Sequence, residues 1–103
     1  MIKNKRQTMN LLGIARRAQK VVSGEATVLK AIQTQSVRLV FLAQDAGSAT
    51  SKKFNDKCAY YNVPLNQSFT KLELSQAIGQ SRTVIGITQS GFARKFEELL
   101  AMD

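Results

Sequence analysis

Two short runs constrain this chain most: Arg-Leu-Val-Phe-Leu-Ala at 38–43 and Thr-Val-Ile-Gly-Ile-Thr at 83–88. Neither alternates apolar with polar residues. Such a run is a strand without a solvent face, so it needs cover on both sides. The segments between the runs supply that cover, because their apolar residues recur at helical spacing.

The first helix is predicted over 4–18, where Leu11, Ala15 and Ala18 fall within ~60° of one another at 100° per residue. Arg16, Arg17 and Lys20 lie opposite, with Gly13 among them. Val21-Val22 reads as a brief strand. Ser23 then offers an N-cap for a second helix to about Thr34, with Val28, Leu29 and Ile32 inward and Lys30 outward. A third helix follows from Ala49 to Tyr61, placing Phe54, Cys58 and Tyr61 on one face. Residues 64–68 form a strand. Thr70 and Glu73 make a capping box for a helix over 71–78 that stops at Gly79. Ser90 caps a last helix through Leu100, which buries Phe92, Phe96, Leu99 and Leu100. Alternating elements of this length imply an α/β fold: a three-layer α/β/α sandwich around a central mixed sheet of about four strands. At 103 residues, 1–103 is read as one domain.

Charge says what such a domain meets. Lys and Arg total 15 against 7 Asp and Glu, a net charge of +8. That excess selects polyanions, either nucleic acid or an anionic surface. Residues 1–30 hold seven basic side chains against Glu25 alone. The start Lys3-Asn4-Lys5-Arg6 fits either a phosphate-seeking arm or a solubilising end. No apolar run approaches the ~18–20 residues of a membrane span, and no secretory signal is read, so the expected compartment is the cytoplasm.

Catalysis has little to work with. Histidine is absent, Cys58 is the one cysteine, and the carboxylates at 25, 45, 56, 73, 97, 98 and 103 form no paired-acid motif. Ser-His and Cys-His chemistry is removed, as are most metal sites. No cofactor, metal or small-molecule substrate is expected. At helical spacing Cys58 reads as a core residue.

Three segments carry binding chemistry. Ser23-Gly24-Glu25-Ala26-Thr27 opens a helix whose free N–H groups suit a phosphate, with Lys30 a turn further on. The same pattern fits an ordinary capped helix with a surface lysine. Gly79-Gln80-Ser81-Arg82-Thr83 holds an arginine able to fork onto phosphate or a base edge, or simply a solvated loop arginine. Thr70-Lys71 places a third cation at a helix start. Arg16, Arg17 and Lys20 form a basic stripe that suits RNA or water equally. Without Trp, and with Tyr60 the one aromatic expected at the surface, stacking on successive bases is disfavoured. Structured RNA, gripped by backbone and shape, is favoured.

In order, these segments resemble the ribosomal protein L-seven-Ae/L-thirty-e superfamily. Gly24 to Ala31 is similar to that family's Gly-x-Asn-Glu-x-x-Lys, Leu42 to Ala46 to its Ala-x-Asp, and Asn62-Val63-Pro64 to its Asn-(Val/Ile)-Pro. Thr70-Lys71-x-x-Leu74 resembles its Ser-Lys-x-x-Leu-Gly, and Gly79 to Ile85 its Gly-Val-Ser-Arg-Pro-Val-Ile. Leu11 to Ala18 with Val22-Ser23-Gly24 looks like the small bacterial YlxQ-like branch. The resemblance implies a non-enzymatic protein that binds structured, kink-turn-like RNA, with the ribosome one place to find it. It assigns contact to Gly24, Lys30, Lys71 and Arg82. The family's Asn-Glu pair, which reads sheared G·A pairs, is here Ala26-Thr27, and an acidic loop position is Gly47. The phosphate-holding frame is therefore expected to survive with its base-reading groups depleted. A protein-interaction module that has lost RNA recognition is the alternative.

Overall fold

The computed structural model describes residues 4–101 of the chain. In order they form α1 (Lys5–Arg17), β1 (Val21–Ser23), α2 (Glu25–Gln33), β2 (Leu39–Leu42), α3 (Ser48–Tyr61), β3 (Leu65–Asn66), α4 (Lys71–Ile78), β4 (Val84–Ile87) and α5 (Ser90–Ala101). The sheet runs β1-β4-β2-β3. β4 is antiparallel to both neighbours, and β2 is parallel to β3. The two apolar runs thus supply the two inner strands, and every residue of β2 and β4 is buried.

Pleating divides those strands between two cores. Leu39, Phe41, Ile85 and Ile87 point to one side, against Leu12 and Ala15 of α1, Leu74 and Ile78 of α4, and Ala93 and Phe96 of α5. Val40, Leu42 and Val84 point to the other, against Val28 and Ile32 of α2 and Phe54 and Cys58 of α3. This is the three-layer α/β/α arrangement expected. Gly86 is required inside β4: a Cβ there would lie 2.8 Å from Val37 Cγ1 and 3.1 Å from Val22 Cγ2. Cys58 is buried, and burial pushes its thiol up to about 11, far from a reactive thiolate.

Several local expectations need correction. Thr8, Leu12 and Ala15 are the buried residues of α1, while Ala18 is exposed. The helix ends at Arg17 and Gln19 turns to φ 61°, which carries Ala18 off the inner face. β3 is two residues long rather than spanning 64–68, because the Asn66 side chain accepts from the Ser68 N–H at 3.1 Å and curls the chain away. α5 is capped by Gln89, whose Oε1 accepts from the Phe92 N–H at 2.8 Å; Ser90 is already helical. Phe92 is only partly buried. Asn4 and Lys5 do not form a free arm. The Asn4 amide donates to the Leu99 carbonyl, and the Lys5 ammonium pairs with Glu73. Lys3 lies outside the described residues.

Candidate nucleic-acid interface

The loops at one end of the sheet enclose a groove lined by Ser23, Gly24, Ala26, Thr27, Lys71 and Arg82, with Glu25, Ser81 and Thr83 completing it. Strand order explains the convergence. β1 and β4 are neighbours running in opposite directions, so the end of β1 meets the start of β4. The Gly24 N–H donates to the Val84 carbonyl at 3.1 Å, the Ala43 N–H to Thr83 at 2.8 Å, and the Gln44 N–H to Phe69 at 2.7 Å. These bonds tie the loops together beneath the groove.

Two helix N-termini face this region, and they differ. That of α4 is satisfied. Thr70 Oγ1 accepts from the Glu73 N–H at 3.1 Å, Glu73 Oε1 accepts from the Thr70 N–H at 2.8 Å, and Asp45 Oδ1 accepts from the Lys71 N–H at 2.8 Å. The exposed Lys71 ammonium remains to meet a ligand. α2, by contrast, opens without any side-chain cap. Ser23 was expected to cap it, but Ser23 closes β1, and Gly24, at φ 94° and ψ 148°, is the N-cap. Glycine has no side-chain oxygen to return to the first turn, so the N–H groups there face the groove with the helix dipole behind them.

The displaced Ser23 hydroxyl has another task. It accepts from Arg82 Nε at 3.0 Å, while Arg82 Nη1 donates to the Ser81 carbonyl at 2.8 Å. Ser75 of α4 fixes the loop from behind: its hydroxyl accepts from the Arg82 N–H at 3.0 Å and donates to the Arg82 carbonyl at 3.2 Å. The guanidinium is thus oriented before any ligand arrives, with N–H groups to spare for an anion. Gly24 lies beneath it, since a Cβ there would sit 3.9 Å from Arg82 Nε.

The other predicted residues divide. Glu25 opens α2 and turns to Lys53 of α3 at 3.4 Å, so its charge is partly answered. Ala26 and Thr27 are exposed in the groove and bring a methyl and a hydroxyl to it. Lys30 is exposed on α2 but does not line the groove. Arg16 and Arg17 line a neighbouring groove that also includes Ser23. Lys20 is exposed beyond α1 and lines neither. Sequence reasoning missed Ser75. A serine one turn before a helix-ending glycine is a weak signal until the loop is seen folding back.

An uncapped helix start, a preset arginine and an exposed lysine around one groove are all groups that pair with anions. Residues 6–97 match the Ribosomal protein L7Ae/L30e/S12e/Gadd45 family, and the chain belongs to it. It is 42% identical over 97 residues to an Enterococcus faecium protein named RNA-binding protein YlxQ, covering 94% of each chain. To the Bacillus subtilis (strain 168) protein of the same name it is 47% identical over 91 residues, covering 87% of this chain and 91% of that one. A Bacillus halodurans C structure described as of unknown function superposes with a TM-score of 0.88 at 42% identity, covering 92% of this chain and 97% of that one. The Giardia lamblia 15.5kD RNA binding protein shares the fold, with a TM-score of 0.81 at 19% identity over 97% of this chain and 88% of that one.

Proposed function

We propose that this chain is a non-enzymatic, cytoplasmic RNA-binding protein that docks a bent, kink-turn-like RNA on the groove between α2, α4 and the start of β4. One observation carries the reading. The uncapped N-terminus of α2 and the preset Arg82 guanidinium converge on a single groove, with the Lys71 side chain on the same rim. Each is a phosphate partner, and together they fit backbone segments brought close by a bend. Lys30 adds charge to the strand leaving the groove. The two relatives named as RNA-binding proteins support the reading. The family description, which names ribosomal proteins, makes ribosomal RNA the first natural RNA to test. Ala26 and Thr27 reduce base reading, so discrimination rests on shape.

The test is titration with a kink-turn RNA and a straight duplex of equal length, at two salt concentrations. Tighter binding to the kink-turn at both salts is expected, with Lys30→Ala and Arg82→Ala each weakening it. Losing one phosphate contact lowers the salt slope by about one unit. Equal binding to both RNAs would reduce the function to phosphate gripping. No binding, with an amide spectrum indifferent to RNA, would transfer the fold to a protein-interaction role.

A further inference from the structure

Beside the first groove lies a second, and the two share Ser23. Its lining includes Arg16, Arg17, Gln19, Val21, Ser23 and Gln80, with no carboxylate among the lining residues. Its floor is the outer edge of β1, the end strand of the sheet. The register fixes which way the β1 backbone points. Gly24 N–H bonds Val84 O and Thr88 N–H bonds Lys20 O, while Val22 stands opposite Gly86. In an antiparallel ladder hydrogen-bonded pairs alternate with non-bonded ones. Val22 therefore turns its N–H and C=O toward β4, and Val21 and Ser23 turn theirs outward. Two backbone N–H groups and two exposed arginine side chains, Arg17 also reaching back beside Gly13, thus line one groove. It adjoins the groove that holds Arg82 through the Ser23 hydroxyl.

We infer that this second groove takes the sugar-phosphate backbone of one stem of the same bound RNA, so that the protein grips the bend at α2 and one flanking stem at β1. Charge selects the occupant. An edge strand can also accept a peptide strand, but a three-residue edge offers little ladder, and among the described residues no carboxylate pairs with either arginine. A phosphodiester satisfies the N–H groups and the guanidiniums together. Continuity with the first groove makes the ligand one molecule. The inference rests on the RNA-binding reading above, and it adds a footprint that depends on stem length on one side only.

The experiment compares wild type with an Arg16→Ala/Arg17→Ala double variant on three RNAs: a kink-turn with both stems long, and two forms with one or the other stem cut back. Both arginines are exposed, and an unchanged amide spectrum of free protein verifies the variant's fold. Wild type should lose affinity when one stem is cut and not the other. The double variant should bind the long RNA as weakly as wild type binds that cut form, and be indifferent to the cut. Its salt slope should be smaller by about two units if each arginine meets one phosphate. The Val21 and Ser23 amide resonances should move with the long RNA and stay fixed with the cut one. Equal affinity of variant and wild type for the long RNA would overturn the inference while leaving the first groove intact. So would movement of those resonances with an acidic peptide but not with RNA. Failure of wild type to bind any of the three would overturn both readings.

Discussion

Gly24→Ala separates backbone conformation from packing. Gly24 sits at φ 94° and ψ 148°, a region that side-chain-bearing residues essentially avoid. Yet there is room: the nearest atom to a Cβ would be Arg82 Nε at 3.9 Å, an ordinary contact. The cost is therefore strain, about 1–3 kcal/mol. Two smaller effects oppose each other. Alanine narrows the unfolded chain's freedom, a gain of about 0.4–1 kcal/mol, and it is a poorer N-cap than glycine, a loss of similar size. Gly47→Ala is the matched control. Gly47 is also an N-cap, that of α3, with nothing within 4 Å of its Cβ position, but its φ of −58° suits any residue. Only the two cancelling effects apply there. Urea denaturation should show Gly24→Ala less stable by about 1–3 kcal/mol and Gly47→Ala within about 0.5 kcal/mol of wild type. In thermal melts each kcal/mol corresponds to a drop of about 4–8 °C. If Gly24→Ala matched Gly47→Ala, positive φ would not be the reason for glycine at this helix start. RNA affinity should fall for Gly24→Ala as well, since relaxing the strain swings the first turn of α2 out of the groove.

Gly86→Ala should cost about 1–3 kcal/mol by overpacking, and Val37→Ala in the same chain should return part of it; a double variant no better than the single would place the conflict elsewhere. Ala26→Asn/Thr27→Glu, restoring the pair the family uses, should sharpen preference for a kink-turn over a duplex by about 1–3 kcal/mol, read from the ratio of dissociation constants; an unchanged ratio would mean the groove no longer presents these positions to bases. Burial alone would push the Glu73 carboxyl up, but its hydrogen bonds with the Lys5 ammonium and the Thr70 N–H, joined by the Lys5 charge, outweigh that and hold it below its usual 4.5. A folded value below the unfolded one means this stabilisation is complete above pH 4.5 and fades as pH falls through the lower folded value. The stability gap between wild type and Glu73→Gln should therefore narrow on acidification, and a gap constant with pH would refute the assignment.

Layer order was readable because it depends on pattern alone. Two runs without alternation had to be inner strands, and helical spacing elsewhere had to cover them. What escaped was set at element ends. β3 stops early because Asn66 bonds Ser68, a local competitor for the ladder that composition does not weight. The α5 cap passes from Ser90 to Gln89 because the helix begins one residue earlier, and the Gln89 side chain reaches the Phe92 N–H of its first turn. Ala18 left the buried face because α1 ended one residue sooner than its apolar spacing implied.

The site was less legible, because its discriminating feature is an absence. Ser23-Gly24 and Thr70-x-x-Glu73 both read as cap sequences, and only the second fills its helix start. The difference lies in the sheet. Ser23 is held in β1 opposite Ile85, so it cannot also take the N-cap position. That role falls to Gly24, which needs positive φ to make the turn and has no side-chain oxygen to give. One strand residue thus leaves α2 open and frees a hydroxyl to aim Arg82 across the gap. Segments nearly sixty positions apart meet there, so no window of sequence contains both halves. Ser23→Ala follows from this reasoning: it leaves the helix start open but releases the guanidinium, and should weaken RNA binding less than Arg82→Ala while leaving the salt slope unchanged. A Ser23→Ala variant as weak as Arg82→Ala would show that the aim of the guanidinium, rather than its charge, supplies the affinity.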